Sequence, residues 1–344
     1  MGATGPERFA RRLCPGPAAG LPSGVATAPD ISVDLAGVRL TSPVILAAGT
    51  AGLLDEMADV VDLSARGGIG AVVTKSITLQ PREGNAPWRI LPAGPAGMLN
   101  AIGLANPGLD AFLEHHAPRA AAMPCKVFAS VAGFSIEDYR AVAGNLDAWS
   151  REHGDCFPII ELNVSCPNVK TGVEFGGSPQ LIRELLDAVR PHVRHSKLFV
   201  KLGPLNPELA LIAKAAVLAG ADGLTLCNTV PAMAIDVDTR RPKLANVTGG
   251  LSGPAVHPIV VKHLHDVRRK VSAEHGTPLL GLGGVCNWTD AAEFILAGAS
   301  AVQVGTILFA DVGAPRRIAS GLARWTARQG KPALRDLIGA VELG

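Results

Sequence analysis

The sequence predicts an α/β chain folded as a (β/α)8 TIM barrel, with an N-terminal β-hairpin and long loops after strands two, four and six. Three observations carry this expectation. Eight short apolar runs alternate with longer stretches of helical periodicity. Polar and glycine residues gather just past the C-terminal ends of those runs, the end at which barrels build their sites. The apolar mass is Ala, Val, Leu and Ile, with aromatics only 4%, which suits short buried strands. A doubly wound open sheet is the competing arrangement of the same elements.

Residues 31–40, interrupted at Ala36-Gly37, read as a small hairpin. The eight candidate strands are 44–48, 70–74, 126–131, 158–163, 198–202, 222–226, 278–281 and 301–304. Between them, 178–193 places Leu181, Leu185, Leu186, Val189 and Val193 on one helical stripe. Residues 207–219 read as an Ala/Leu helix ending at Gly220. Thr289 reads as the cap of a helix through Ala297, with Gly298 after it. Two connections, 75–105 and 228–253, are too long for simple turns, and loops of that length in a compact domain are usually functional.

Composition narrows the function. A net charge of +2 gives no strong field for nucleic acid or a membrane surface. No charge-free apolar run approaches the ~18 residues of a membrane span. The start carries Arg8, Arg11 and Arg12 with no apolar segment after them, unlike a signal peptide. Residues 1–30, rich in Gly, Pro and Ala, are expected to be a poorly ordered extension ahead of a barrel domain at 31–344. None of the six cysteines forms a C-x-x-C pair or sits at metal-ligand spacing from a histidine. A reducing, cytoplasmic compartment and no metal are therefore expected.

The strand exits hold the chemistry. Gly49 and Thr50 follow strand one, Lys75 ends strand two, and Ser130 lies on strand three. Asn163, Ser165, Cys166 and Asn168 crowd the end of strand four, and Lys201 ends strand five. Asn228-Thr229, Gly283-Gly284 and Gly305-Thr306 follow strands six, seven and eight. The last two pairs stand where barrels commonly bind phosphate through backbone N–H groups, although such glycines also make plain tight turns. Lys75 and Lys201 finish apolar strands, either as solvated rim lysines or as cations facing an anionic ligand. A lone cysteine is usually an inert core residue, as read for Cys125, Cys156, Cys227 and Cys286. Cys166 differs by standing past the strand end, beside Pro167, in a polar cluster suited to a base or nucleophile. The histidine pairs His115-His116, His192/His195 and His263/His265 read as surface residues.

Long ordered motifs here resemble a known family. They are Thr74-Lys75-Ser76-Ile77-Thr78-Leu79 with Pro81-Arg82-Glu83-Gly84-Asn85, the stretch 98–108 (MLNAIGLANPG), and 161–170 (ELNVSCPNVK). All are similar to class 1 dihydroorotate dehydrogenases. The run 221–236, Asp238-Thr239-Arg240 and 244–254 (LANVTGGLSGP) resemble class 1B, and the resemblance covers roughly 31–342. It implies FMN across the barrel mouth. The implied cofactor contacts are Ala48, Gly49, Lys75, Ser76, Asn163, Lys201, Gly249, Gly250, Gly253, Gly283, Gly284, Gly305 and Thr306. It implies dihydroorotate or orotate held by Lys75, Asn100, Ile102, Gly103, Leu104, Asn163, Asn168, Asn228 and Thr229. Cys166 would be the catalytic base for the C5 proton, with the C6 hydride passing to the flavin. Class 1B also implies an electron-transfer subunit carrying FAD and an iron–sulfur cluster and ending on NAD. A homodimeric core is expected because symmetric dimers are the commonest homo-oligomers.

Two departures stand out: Ala48 where the family usually has Ser, and Gly203 after Lys201-Leu202 where Ser or Pro is common. They leave open a related flavoenzyme acting on a modified dihydropyrimidine. A barrel that binds a sugar phosphate without flavin is the third reading.

Overall fold

The structure, a computed structural model, describes residues 29–165 and 175–344. Its centre is a closed sheet of eight parallel strands. Strands one to eight are Val44–Leu46, Ala71–Val73, Lys126–Val131, Ile159–Asn163, Lys197–Leu202, Gly223–Leu226, Leu279–Leu282 and Ala301–Val304. Each pairs with the next in sequence order, and strand eight pairs with strand one through Val302 and Val44. This is the expected TIM barrel, and closure excludes the doubly wound sheet.

Helices follow seven of the strands: Leu109–His115, Ile136–Glu152, Pro179–Val189, Leu209–Leu218, His257–Val267, Trp288–Ala297 and Ala314–Arg328. The first unit departs from the expected eight repeats of strand then helix. After strand one there is a single 3-10 turn at Ala65–Gly67. The preceding segment is bent by Glu56, whose carboxylate accepts from the N–H groups of Leu53 and Leu54 at 2.8 Å each. The helix expected over 178–193 ends its α-helical part at Val189 and continues as a 3-10 turn, Arg190–His192. Its buried face uses Ile182 rather than Leu181, together with Leu185, Leu186 and Val189. The helix of strand seven is capped by Asn287, not Thr289. The Asn287 side chain accepts from the N–H groups of Thr289 and Asp290, and Asp290 answers by accepting from the Asn287 N–H.

Two apolar layers hold the barrel together. One lies between the sheet and the helices. The other fills the lower interior with Ile45, Ala71, Val73, Phe128, Ile159, Phe199, Leu280 and Ala301. The hairpin Val33–Leu35 and Val38–Leu40 turns through Ala36 and Gly37, both at positive φ, as a two-residue hairpin requires. Its Val33, Leu35 and Leu40 pack into that interior layer and plug the bottom of the barrel.

The mouth is roofed by a four-stranded antiparallel sheet, in the order Val230–Ala232, Gly249–Ser252, Met98–Asn100, Ile90–Pro92. Both long loops supply it, so the connections after strands two and six are folded against each other. A small apolar cluster, Leu99, Ala101 and Leu244 with Leu91, Ala93, Ala232, Ala234 and Leu251, holds the roof. The loop expected after strand four and most of the N-terminal extension fall outside the described residues. Among the described residues no helix is long and apolar enough to cross a membrane.

The plug makes a stability prediction. Leu35 is 0% exposed, so Leu35→Ala is expected to cost about 2–5 kcal/mol and lower the thermal unfolding midpoint. Arg39→Ala, exposed on the same hairpin, is expected to stay within about 0.5 kcal/mol.

Candidate functional site

Between the strand ends and the roof lies a cavity of about 1030 Å³. Inward-facing strand residues form its floor, the exits of strands seven and eight form one wall, and the roof covers it.

A chain of hydrogen bonds ties the strand ends together. Ser130 Oγ and Ser76 Oγ lie 2.8 Å apart, and Ser130 N–H donates to Thr74 Oγ1 at 3.0 Å. Asn163 Nδ2 donates to Ser76 Oγ at 3.2 Å. Asn163 Oδ1 accepts from Asn228 Nδ2 at 3.1 Å, and the Asn163 carbonyl accepts from Tyr139 OH at 2.7 Å. Asn228 Nδ2 also reaches Ser165 Oγ and O, while its Oδ1 accepts from Thr229 N–H at 2.8 Å. Strands two, three, four and six are thus locked at the level of the cavity. The two asparagines spend much of their bonding capacity on each other and on Ser76, Ser165 and Thr229. They define a rigid polar floor as well as offering groups to a ligand.

The segment 102–104 curls over the cavity. Gly103 and Leu104 have φ of 77° and 58°, a conformation that a leucine adopts only when its surroundings enforce it. Here Asn85 N–H donates to Ile102 O at 2.9 Å, and Arg82 Nε donates to Gly103 O at 3.3 Å. Neither Asn85 nor Arg82 lines the cavity. The carbonyls of Ile102 and Gly103 are therefore occupied by residues outside the cavity lining. Asn100 reaches the Gly250 carbonyl at 3.4 Å across the roof. Gly250 has no room for a side chain, since a Cβ there would stand 1.9 Å from Thr229 Oγ1.

The turns after strands seven and eight form one wall of the cavity. Gly284 has φ of 74°, and a Cβ would meet the Gly253 carbonyl at 2.7 Å, so the turn requires glycine. Among the described residues no acceptor takes the N–H of Gly284, Gly305 or Thr306. Thr306 Oγ1 and Ser252 Oγ lie 2.8 Å apart, linking this wall to the roof. This wall therefore carries three backbone N–H groups with no acceptor among the described residues, at the strand exits where barrels commonly bind phosphate.

Lys201 is 5% exposed on the floor. Lys75 is half-buried, and burial, followed by the like charge of Arg89, pushes its ammonium below the usual lysine range, with Glu56 opposing. Cys227 also lines the cavity, but burial pushes its thiol far up, so it is no thiolate at neutral pH. Burial likewise raises Cys125 to about 12 and raises Cys156. Among the described residues no group of three His, Cys, Asp or Glu side chains is placed to hold a metal.

Of the residues singled out from the sequence, Ala48, Gly49, Lys75, Ser76, Asn100, Ile102, Gly103, Leu104, Asn163 and Lys201 line this cavity. So do Asn228, Thr229, Gly250, Gly253, Gly283, Gly284, Gly305 and Thr306. Gly249 does not. It packs against the Asn100 carbonyl and Leu244, where a Cβ would stand at 2.5 Å and 2.7 Å, so its glycine serves roof packing. Cys166 and Asn168 lie outside the described residues. The sequence did not single out several further lining residues, among them Gln303, Ser252 and His257. His257 is nearly buried; its Nε2 lies 2.8 Å from Glu293 and its ring stacks on Phe294 at 4.6 Å. Its place three residues after Pro254, at a helix start, was the available signal.

The sequence profile described as dihydroorotate dehydrogenase matches residues 30–325. The catalytic subunit of dihydroorotate dehydrogenase B (NAD(+)) from Pelobacter propionicus is 44% identical over 315 residues, 91% of this chain and 99% of that protein. The corresponding subunit from Geobacter sulfurreducens is 43% identical over 316 residues, 92% and 99% of the two chains. Among solved structures, a dihydroorotate dehydrogenase from Eimeria tenella in complex with ferulenol superposes with a TM-score of 0.73, covering 97% of this chain and 93% of that one. At 24% identity that likeness speaks to the fold.

The lowered pKa of Lys75 is testable on the protein alone. Competitive acetylation against pH, read by peptide mass spectrometry, is expected to show Lys75 losing its proton at lower pH than the exposed lysines. Arg89→Met removes a like charge and is expected to move that transition back up. A Lys75 that titrates with the exposed lysines would contradict the burial argument.

Proposed function

This chain belongs to the dihydroorotate dehydrogenase family, and from that premise we propose that it oxidises dihydroorotate to orotate with bound FMN, in pyrimidine synthesis. The observation that carries the cofactor assignment is the orphaned wall at Gly284, Gly305 and Thr306, which suits a terminal phosphate. The cavity volume of about 1030 Å³ accommodates a flavin together with a small ring substrate. No dinucleotide fingerprint accompanies it in the sequence, which favours FMN over FAD.

In this reading Gly283, Gly284, Gly305 and Thr306 hold the phosphate, and Lys201 faces the ring edge where negative charge grows on reduction. Bound FMN supplies the acceptor for the C6 hydride. Asn100, Asn163, Asn168, Asn228 and Thr229 orient a ring that carries two carbonyls and two N–H groups. The N–H groups of the 102–104 segment and Lys75 take its carboxylate. Cys166 receives the C5 proton on Sγ. A floor locked by Ser76, Asn163 and Asn228 discriminates against rings lacking those groups, because a lost partner leaves buried polar atoms unpaired.

Electrons then leave the chain. The relatives are catalytic subunits of NAD(+)-linked enzymes. By that likeness this chain works with a second subunit that carries FAD and an iron–sulfur cluster and passes electrons to NAD. Cytoplasmic operation goes with that assignment.

Two expectations follow. Cys166→Ala is expected to retain FMN while dihydroorotate bleaches the anaerobic holoprotein roughly 10²–10⁴-fold more slowly, measured by rapid mixing. Cys166→Ser is expected to fall between, since a hydroxyl ionises less readily than a thiol of free pKa about 8.5. Wild-type bleaching is expected to quicken as pH rises and the thiolate fraction grows. An unchanged rate in Cys166→Ala would remove the thiol from the mechanism. The second expectation is that the purified chain alone does not turn over NAD with dihydroorotate. Steady turnover without a partner would overturn the two-subunit assignment.

A further inference from the structure

Beneath the floor lies a carboxylate that the reaction above does not use. Glu161 is on strand four, two residues before Asn163 and on the same inward face, and it is 0% exposed. Its Oε2 accepts from Thr225 Oγ1 at 2.7 Å and from Gln303 Nε2 at 2.8 Å. Those partners are on strands six and eight, not on the neighbouring strands, so the carboxylate lies across the middle of the barrel. Glu161 Oε1 and Gln303 Oε1 are both buried without a partner among the described residues.

Two neutral donors compensate a buried carboxylate only in part. The buried cation at this level is Lys201. It stands in register between Asn163 on strand four and Thr225 on strand six, one step toward the mouth from Glu161. Gln303 adds a second consequence. A carboxylate only accepts, so the amide must present Nε2 to Glu161 and its carbonyl Oε1 is left over. Gln303 borders the cavity, so Glu161 fixes which way that amide is turned beneath it.

We propose that Glu161 is a positioning residue for the bound cofactor: a buried negative charge that offsets Lys201 and fixes the Gln303 amide, holding the reduction potential below the value that Lys201 alone would set. This rests on the FMN reading of the same cavity. The sign follows from Coulomb's law. Reduction adds negative charge above the floor, which an ammonium there favours and a carboxylate disfavours.

The test is an anaerobic redox titration of the holoprotein against a reference dye, without dihydroorotate. Glu161→Gln keeps shape and removes the charge. It is expected to raise the reduced-to-oxidised ratio at fixed potential about tenfold, near 30 mV upward for a two-electron couple. Thr225→Val strips one donor from the carboxylate and leaves its charge less screened, so its midpoint is expected to move downward. Opposite shifts support the proposal, because a merely structural role would not give opposite signs. An unmoved or lowered midpoint in Glu161→Gln overturns it. If Glu161→Gln yields no flavin-loaded protein, Thr225→Val decides, and an unmoved or raised midpoint overturns the proposal. Wild-type protein that releases no FMN would instead sink the cofactor reading itself.

Discussion

A closed sheet of eight parallel strands has no edge, and every inward side chain must find its partners among the inward side chains of other strands. Most of what this molecule offers a ligand depends on that constraint. At the bottom the demand is met with apolar bulk from Ile45, Phe128, Ile159 and Phe199, sealed by the hairpin. Higher up, Thr225 and Gln303 both donate to one oxygen of Glu161 across the interior. At the mouth, Ser76, Asn163, Asn228 and Ser165 form a bonded floor, and the turns at Gly284 and Gly305 leave N–H groups unclaimed. Polarity therefore rises along the barrel axis, from the apolar plug to the polar residues at the cavity.

The roof complements that gradient. Backbone pairing between Gly249–Ser252 and Met98–Asn100 brings the two long loops together, and Leu99, Ala101 and Leu244 pack into an apolar cluster away from the cavity lining. A cover of this kind limits water above a floor whose hydrogen bonds gain strength in low dielectric. The closeness is made by absent side chains. Gly250 lies against Thr229, and Gly249 lies against Asn100, with no room for a Cβ at either.

Much of this was legible in the sequence, for identifiable reasons. All eight strands are short, mostly apolar runs, and burial on both faces writes that pattern directly. Strand-end lysines, asparagines and glycines were legible because a polar residue finishing such a run has few innocent explanations. Asn287 was missed as a cap because Thr289 is an equally good capping residue, and only geometry separates them. The roof strands were illegible. Ile-Leu-Pro, Val-Pro-Ala and Gly-Gly-Leu-Ser are too short for periodicity and carry residues depleted from strands. Glu161 and Gln303 were visible as polar letters inside apolar runs, yet their meaning depends on partners two and four strands away. The segment holding Cys166 is readable only through its motif.

The roof also bears on how the chain is made. Asn100 and Gly250 meet across 150 residues of sequence. During synthesis, Met98–Asn100 emerges early and has only Ile90–Pro92 to pair with until strand six and its loop have left the ribosome. Its other edge stays open for that interval, as an edge strand exposed to solvent. Nascent chains therefore acquire most of their parallel strands before the antiparallel cover can close. Contacts of this range form slowly because loop closure must precede them. Chain order thus imposes two closures: the cover waits for Gly249–Ser252, and the barrel itself waits for strand eight to reach strand one.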